Sequence, residues 1–82
     1  QDGEIFLERD LVNRAGQTRR IDRLIIKKDE IWIIDYKSSR EGREKYFEQV
    51  KEYIVIVREI EPNKKVKGFL LYLDDVSFEE VI

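Results

Sequence analysis

Apolar residues fall along this 82-residue chain in short clusters separated by polar turns, and their spacing lengthens in only one segment. From Glu4 to Val12, Ile5, Phe6, Leu7, Leu11 and Val12 lack helical spacing and run into Asn13-Arg14-Ala15-Gly16-Gln17, which predicts a strand and then a loop. Arg20 to Lys28 carries Ile21, Leu24, Ile25 and Ile26, and after the polar Lys27-Lys28-Asp29-Glu30 the β-branched and aromatic pattern resumes at Ile31-Trp32-Ile33-Ile34. That is the pattern of a β-hairpin. Four consecutive apolar residues predict a strand covered on both faces, as a central strand is. Polarity returns at Asp35-Tyr36-Lys37-Ser38-Ser39.

Between Gly42 and Ile60 the period changes. Phe47, Val50, Ile54 and Val57 lie at i, i+3, i+7 and i+10, with a second apolar line through Tyr46, Tyr53 and Ile60, predicting a helix that Glu61-Pro62-Asn63 ends. Lys67 to Leu73 reads as another strand, and Asp74 to Ile82 as a short final strand or a turn. A strand-helix-strand unit permits a right-handed crossover, setting the Phe69 strand parallel to the Ile31 strand. The expected fold class is therefore α/β: a mixed sheet of about four strands, an antiparallel meander plus a parallel crossover, with one packed helix. Residues 1–82 form a single domain in this reading, since no repeat, linker or low-complexity segment divides them.

Composition narrows the chemistry. A chain this short buries about 60–65% of the surface it exposes when unfolded. With no cysteine and no histidine, disulfides, thiolate nucleophiles, Ser-His-Asp triads and the usual zinc sites are excluded. Carboxylates, Lys, Arg, Tyr and Ser remain as reagents. The chain opens Gln1-Asp2-Gly3 without Met, which is expected of a domain excised from a larger protein. The net charge of -2 argues against a simple nucleic-acid coat, but residues 14 to 45 hold ten basic and six acidic side chains, a local excess of four positive charges. On charge alone a solvated surface is the simpler reading. No apolar run approaches the roughly 20 residues of a membrane span, so a soluble, cytoplasmic domain is expected.

Asp35 and Lys37 are two apart on a strand and share a face, while Tyr36 points to the other. An even-numbered hairpin loop places Asp22 on that same face: a Lys28-Asp29 loop sets it opposite Asp35, and an Asp29-Glu30 loop opposite Lys37. Two converging aspartates repel each other and suit a hard divalent cation such as Mg²⁺, which retains waters that a phosphate can displace. Lys37 beside them can orient an attacking water or stabilise negative charge. The tripeptide alone is far more often the pattern of a surface salt bridge, Asp35 with Lys37 or Asp22 with Arg20. Gln49 and Tyr53 share a helix face with Tyr46, where they can bind a phosphate or a base edge, hold Lys37, or serve as core-edge residues. Ser38, Ser39, Arg40 and Arg43 are candidate phosphate contacts or a polar loop opening the helix.

Taken in order, Arg20-Ile21-Asp22-Arg23-Leu24, Ile33-Ile34-Asp35-Tyr36-Lys37-Ser38-Ser39 and Tyr46-Phe47-Glu48-Gln49-Val50-Lys51-Glu52-Tyr53 resemble the signature series of the RecB-like branch of the PD-(D/E)xK nucleases. The similarity runs from about Ile5 to Leu73 and is greatest to the C-terminal nuclease domain of UvrD/AddA-type helicase-nucleases. The resemblance implies a restriction-endonuclease-like core and metal-dependent cleavage of DNA phosphodiesters in DNA repair and recombination, beside a helicase domain. It further implies Asp22 and Asp35 as ligands of Mg²⁺ or Mn²⁺, with the Tyr36 carbonyl as a further ligand, Lys37 as the catalytic lysine, and Gln49 and Tyr53 as a Q-x-x-x-Y motif near the DNA. Two departures stand out. The first helix of the family fold, which supplies a His or Glu to the metal, does not precede Asp2, and Arg19 occupies the place of a common Gly. Glu8 is an available substitute ligand. A nuclease-fold module that binds DNA or a protein without cutting is the alternative.

Overall fold

The computed structural model describes residues 3–12 and 18–81, with side chains described from Ile21 onward; the loop expected at 13–17 and the side chain of Glu8 lie outside the described residues. Strands β1 (Gly3–Val12), β2 (Thr18–Lys27) and β3 (Glu30–Lys37) are followed by helix α1 (Arg43–Ile60) and strands β4 (Lys65–Tyr72) and β5 (Ser77–Val81). All five strands form one sheet in the order β1-β2-β3-β4-β5. The first three make an antiparallel meander, β3 and β4 are parallel through α1, and β5 returns antiparallel to β4. The sheet thus has one strand more than the pattern of about four, because the tail pairs with β4 from Tyr72↔Ser77 to Gly68↔Val81. With Ser77, Glu79 and Glu80 polar in Ser77-Phe78-Glu79-Glu80-Val81, the segment carries too few apolar residues to mark a strand by pattern.

Helix α1 packs on one sheet face. Val50, Tyr53, Ile54 and Val57 meet Ile21, Leu24, Ile31, Ile33, Val66, Leu70 and Tyr72 in a single buried cluster. Gly68 lets the helix approach closely, since a Cβ there would lie 2.5 Å from Val50 Cγ1 and 2.8 Å from Ile54 Cδ1. Ile60, expected on the second apolar line, is instead 59% exposed, because the last helical turn extends past the sheet cluster toward Glu61. On β3, Ile31, Ile33, Asp35 and Lys37 register with Val66, Gly68, Leu70 and Tyr72 of β4 and so face α1. Trp32 turns to the opposite face, where its ring meets Phe69 at a centroid distance of 5.2 Å.

The β4–β5 turn contains a strained residue. Val76 has φ of 51° and is 79% exposed, and for a β-branched side chain this left-handed conformation costs on the order of 1–3 kcal/mol. Asn tolerates it better. Val76→Asn is expected to raise stability by about 1 kcal/mol, read as a higher urea midpoint at unchanged slope; an unchanged or lower midpoint would contradict the assigned strain.

Candidate active site

The hairpin between β2 and β3 determines which side chains meet. Its register runs from Ile26↔Ile31 to Arg23↔Ile34, so the connection is the two residues Lys28-Asp29. The ladder ends at Arg23↔Ile34, one step before Asp22 and Asp35, and the two carboxyls approach each other just beyond it. The Asp22 carboxylate reaches across to β3, where Oδ2 accepts a hydrogen bond from the Tyr36 backbone N–H at 3.0 Å. The strand pairing therefore places both carboxylates where β3 ends.

Asp35 is only 3% exposed. Burial, and after it the neighbouring Asp22 carboxyl, push its pKa up to about 6 despite the opposing pull of Lys37. Its buried Oδ2 forms an ion pair with Lys37 Nζ at 3.0 Å. Lys37 is held from three directions: by Asp35, by Gln49 Oε1, which accepts from Nζ at 3.1 Å, and by the Tyr46 ring 4.7 Å below the ammonium. Backbone hydrogen bonds from Leu73 N–H to Lys37 O (2.8 Å) and from Asp74 N–H to Ser38 O (3.0 Å) fix the end of β3 against the chain leaving β4. An ammonium so anchored keeps its position without reorganisation.

The remaining candidates divide. Gln49 and Tyr46 join the site as the partners of Lys37. Tyr53 does not reach the surface expected of a DNA contact: it is 2% exposed within the hydrophobic cluster, because the register that turns Val50 and Ile54 to the sheet turns Tyr53 inward too. Ser39 Oγ accepts from the Glu41 N–H at 3.3 Å, a local turn contact, and Ser38 is exposed. Arg40 and Arg43 lead into α1 behind Gly42, whose φ of 88° makes the bend, and each is engaged by an acid of the β4–β5 hairpin. Arg40 meets Asp75 and donates to Ser77 Oγ at 2.6 Å, while Arg43 grips both carboxylate oxygens of Glu79. Tyr72, opposite Lys37 in the ladder, donates to Glu79 Oε1 at 2.8 Å. Asp75, Glu79 and Tyr72 were not legible as site neighbours, since their contacts with Arg40 and Arg43 span about 30 residues or more of chain and no local motif marks them.

The donor set suits a hard cation. Two carboxylates converge, Asp35 buried and raised in pKa beside Asp22, and oxygen-only ligation is what Mg²⁺ and Mn²⁺ prefer. Among the described residues no group of three or more acidic side chains is arranged to hold a metal ion, so water or backbone oxygens would complete the shell. Among these residues no helix is long and apolar enough to cross a membrane. Comparison with protein families and with curated proteins finds no match to this chain.

Proposed function

We propose that this chain is a metal-dependent deoxyribonuclease domain of the RecB-like PD-(D/E)xK type, with a restriction-endonuclease-like core, working beside a helicase in DNA repair or recombination. The supporting observation is the meeting of Asp22, Asp35 and Lys37 on one sheet face, with Gln49 and Tyr46 holding the lysine. In this reading Asp22 and Asp35 hold Mg²⁺ or Mn²⁺, with the Tyr36 carbonyl available beside them. When bound, the cation polarises the phosphoryl oxygen and makes its water more acidic. Lys37 then does the protein's part: its ammonium orients the attacking water and stabilises the negative charge that gathers on the phosphoryl oxygens. Gln49 and Tyr46 keep that ammonium pointed at the reacting group.

Labelled single- and double-stranded DNA, incubated with the chain and Mg²⁺ or Mn²⁺ against an EDTA control, tests the proposal. Cleavage is expected only with the cation. Lys37→Ala is expected to lower the rate about 10²–10³-fold, the usual loss for one charge-stabilising group, while the circular dichroism spectrum is unchanged. Cleavage undiminished in that variant would remove Lys37 from the reaction. Among the described residues two carboxylates converge without a third, which favours a second reading, a nuclease-fold module that binds without cutting. Calorimetry separates the two: neither metal binding nor cleavage, with DNA binding retained, would establish the second.

A further inference from the structure

The β4–β5 hairpin does more than close the sheet. Its carboxylates occupy Arg40, in the bend before α1, and Arg43, the first residue of α1: Asp75 takes Arg40, and Glu79 takes Arg43 through two parallel bonds. These are the geometries with which guanidinium groups bind phosphate. Both guanidiniums also lie over aromatic rings that fix their planes, Arg40 4.4 Å from the Tyr72 ring centre and Arg43 4.3 Å from that of Phe47. Tyr72 registers with Lys37, so the Arg40 guanidinium above its ring stands beside the candidate site. The acids come from a hairpin whose turn contains the strained Val76, and all four charged side chains are partly or largely solvent-exposed. The Arg40–Asp75 pair is exposed and holds weakly, whereas Glu79, gripped at both oxygens by Arg43 and bonded by Tyr72, holds firmly and yields only to a phosphate that Arg43 can bind as well.

We propose that Arg40 and Arg43 form a subsite for two phosphate groups of a nucleic-acid strand, and that Asp75 and Glu79 occupy it until the strand arrives. The subsite deepens the nuclease reading and rests on it for the identity of the ligand. Entry of the strand exchanges two carboxylate contacts for two phosphate contacts. The hairpin thereby sets a threshold on binding: short or weakly bound strands fail to displace it, and a strand that also engages the metal site succeeds. Phosphates arranged along Arg40 and Arg43 would lead the strand toward Lys37.

The test is binding of a fluorescein-labelled 12-nucleotide oligothymidylate, measured by anisotropy in EDTA so that no cleavage intervenes. Asp75→Asn and Glu79→Gln each remove a competing charge while keeping an acceptor for the arginine, and Glu79→Gln also keeps an acceptor for Tyr72. Each is expected to tighten binding about tenfold at low salt. Asp74→Asn, the same charge change one residue away, removes a carboxylate that acts on Arg40 through its field and not through an ion pair, and is expected to tighten binding less than twofold. Adding Arg43→Ala to Glu79→Gln should abolish the gain. Equal tightening by Asp74→Asn would show a general field effect, and weaker binding by Glu79→Gln would show a purely structural staple; either overturns the proposal, as does failure of every variant to bind. The nuclease reading fails separately, if the variants tighten as expected but none cleaves with Mg²⁺ or Mn²⁺.

Discussion

In EDTA at pH 7, Asp35→Asn is expected to melt on the order of 10 °C above the parent chain and, given Mg²⁺, to bind no cation and cleave no DNA. The stability gain follows from the buried carboxylate. Its pKa of about 6, against an ordinary 3.8, means that the folded chain holds a proton that the unfolded chain releases. Between about pH 4 and 6 the folded state therefore binds more protons, and stability falls as pH rises across that window. Above it the ionised Asp35 costs roughly 2–3 kcal/mol, and at about 4–8 °C per kcal/mol for a domain this small the neutral amide recovers that as melting temperature. Asn also donates to the Asp22 carboxylate instead of repelling it, while Lys37 keeps Gln49 and Tyr46. A melting series from pH 7 to 4.5 checks the sign: the parent chain should gain stability on acidification and Asp35→Asn should stay flat. Mg²⁺ should stabilise the parent by mass action and leave the variant unmoved. If Asp35→Asn melts below the parent at pH 7, the ion pair with Lys37 outweighs burial, and the carboxylate is structural.

The same residue shows what the pattern of the chain reveals and where it stops. Period-2 placement makes the shared face of Asp35 and Lys37 readable before any coordinates, whereas Asp22 joins it only if the hairpin loop is even, and it is the structure that supplies the two-residue loop Lys28-Asp29. The helix was readable for a similar reason, as Val50, Ile54 and Val57 repeat at its period and are buried. Tyr53 obeys that periodicity too, and its burial fits the core-edge alternative rather than a contact with DNA. Arg43 and Glu79 are the opposite case. Their pairing depends on where β5 returns beside β4, and β5 itself was ambiguous, so nothing local could join them. The same holds for Gln49 on Lys37, where the helix face was predictable but the choice between holding the lysine and facing a phosphate required the crossover to be in place.

Gly68→Val is expected to be the most damaging single change in the core, lowering stability by about 3 kcal/mol or more and leaving a substantial fraction of the chain unfolded at 37 °C. A Cβ alone at this position would stand 2.5 Å from Val50 Cγ1 and 2.8 Å from Ile54 Cδ1, well inside contact distance, and valine adds two further carbons. Val50 is fully buried, and an interior packed to native density offers little room for it to swing, so the strain falls on the helix, which lifts from β4. Overpacking of this kind usually costs about 1–3 kcal/mol, and a displaced helix also exposes apolar surface that a small domain cannot spare. The site should fail with the core. Gln49 precedes Val50 on the same helical turn, so lifting α1 withdraws Oε1 from Lys37 and leaves the ammonium with Asp35 alone. Chemical denaturation gives the loss, and a compensating change separates steric cause from backbone cause: Val50→Ala removes the atom that the new side chain strikes. The double variant should therefore be less destabilised than the two single losses added together, by at least about 1 kcal/mol. Strict additivity would mean that β4 needs glycine at this position for its backbone and not for the approach of α1.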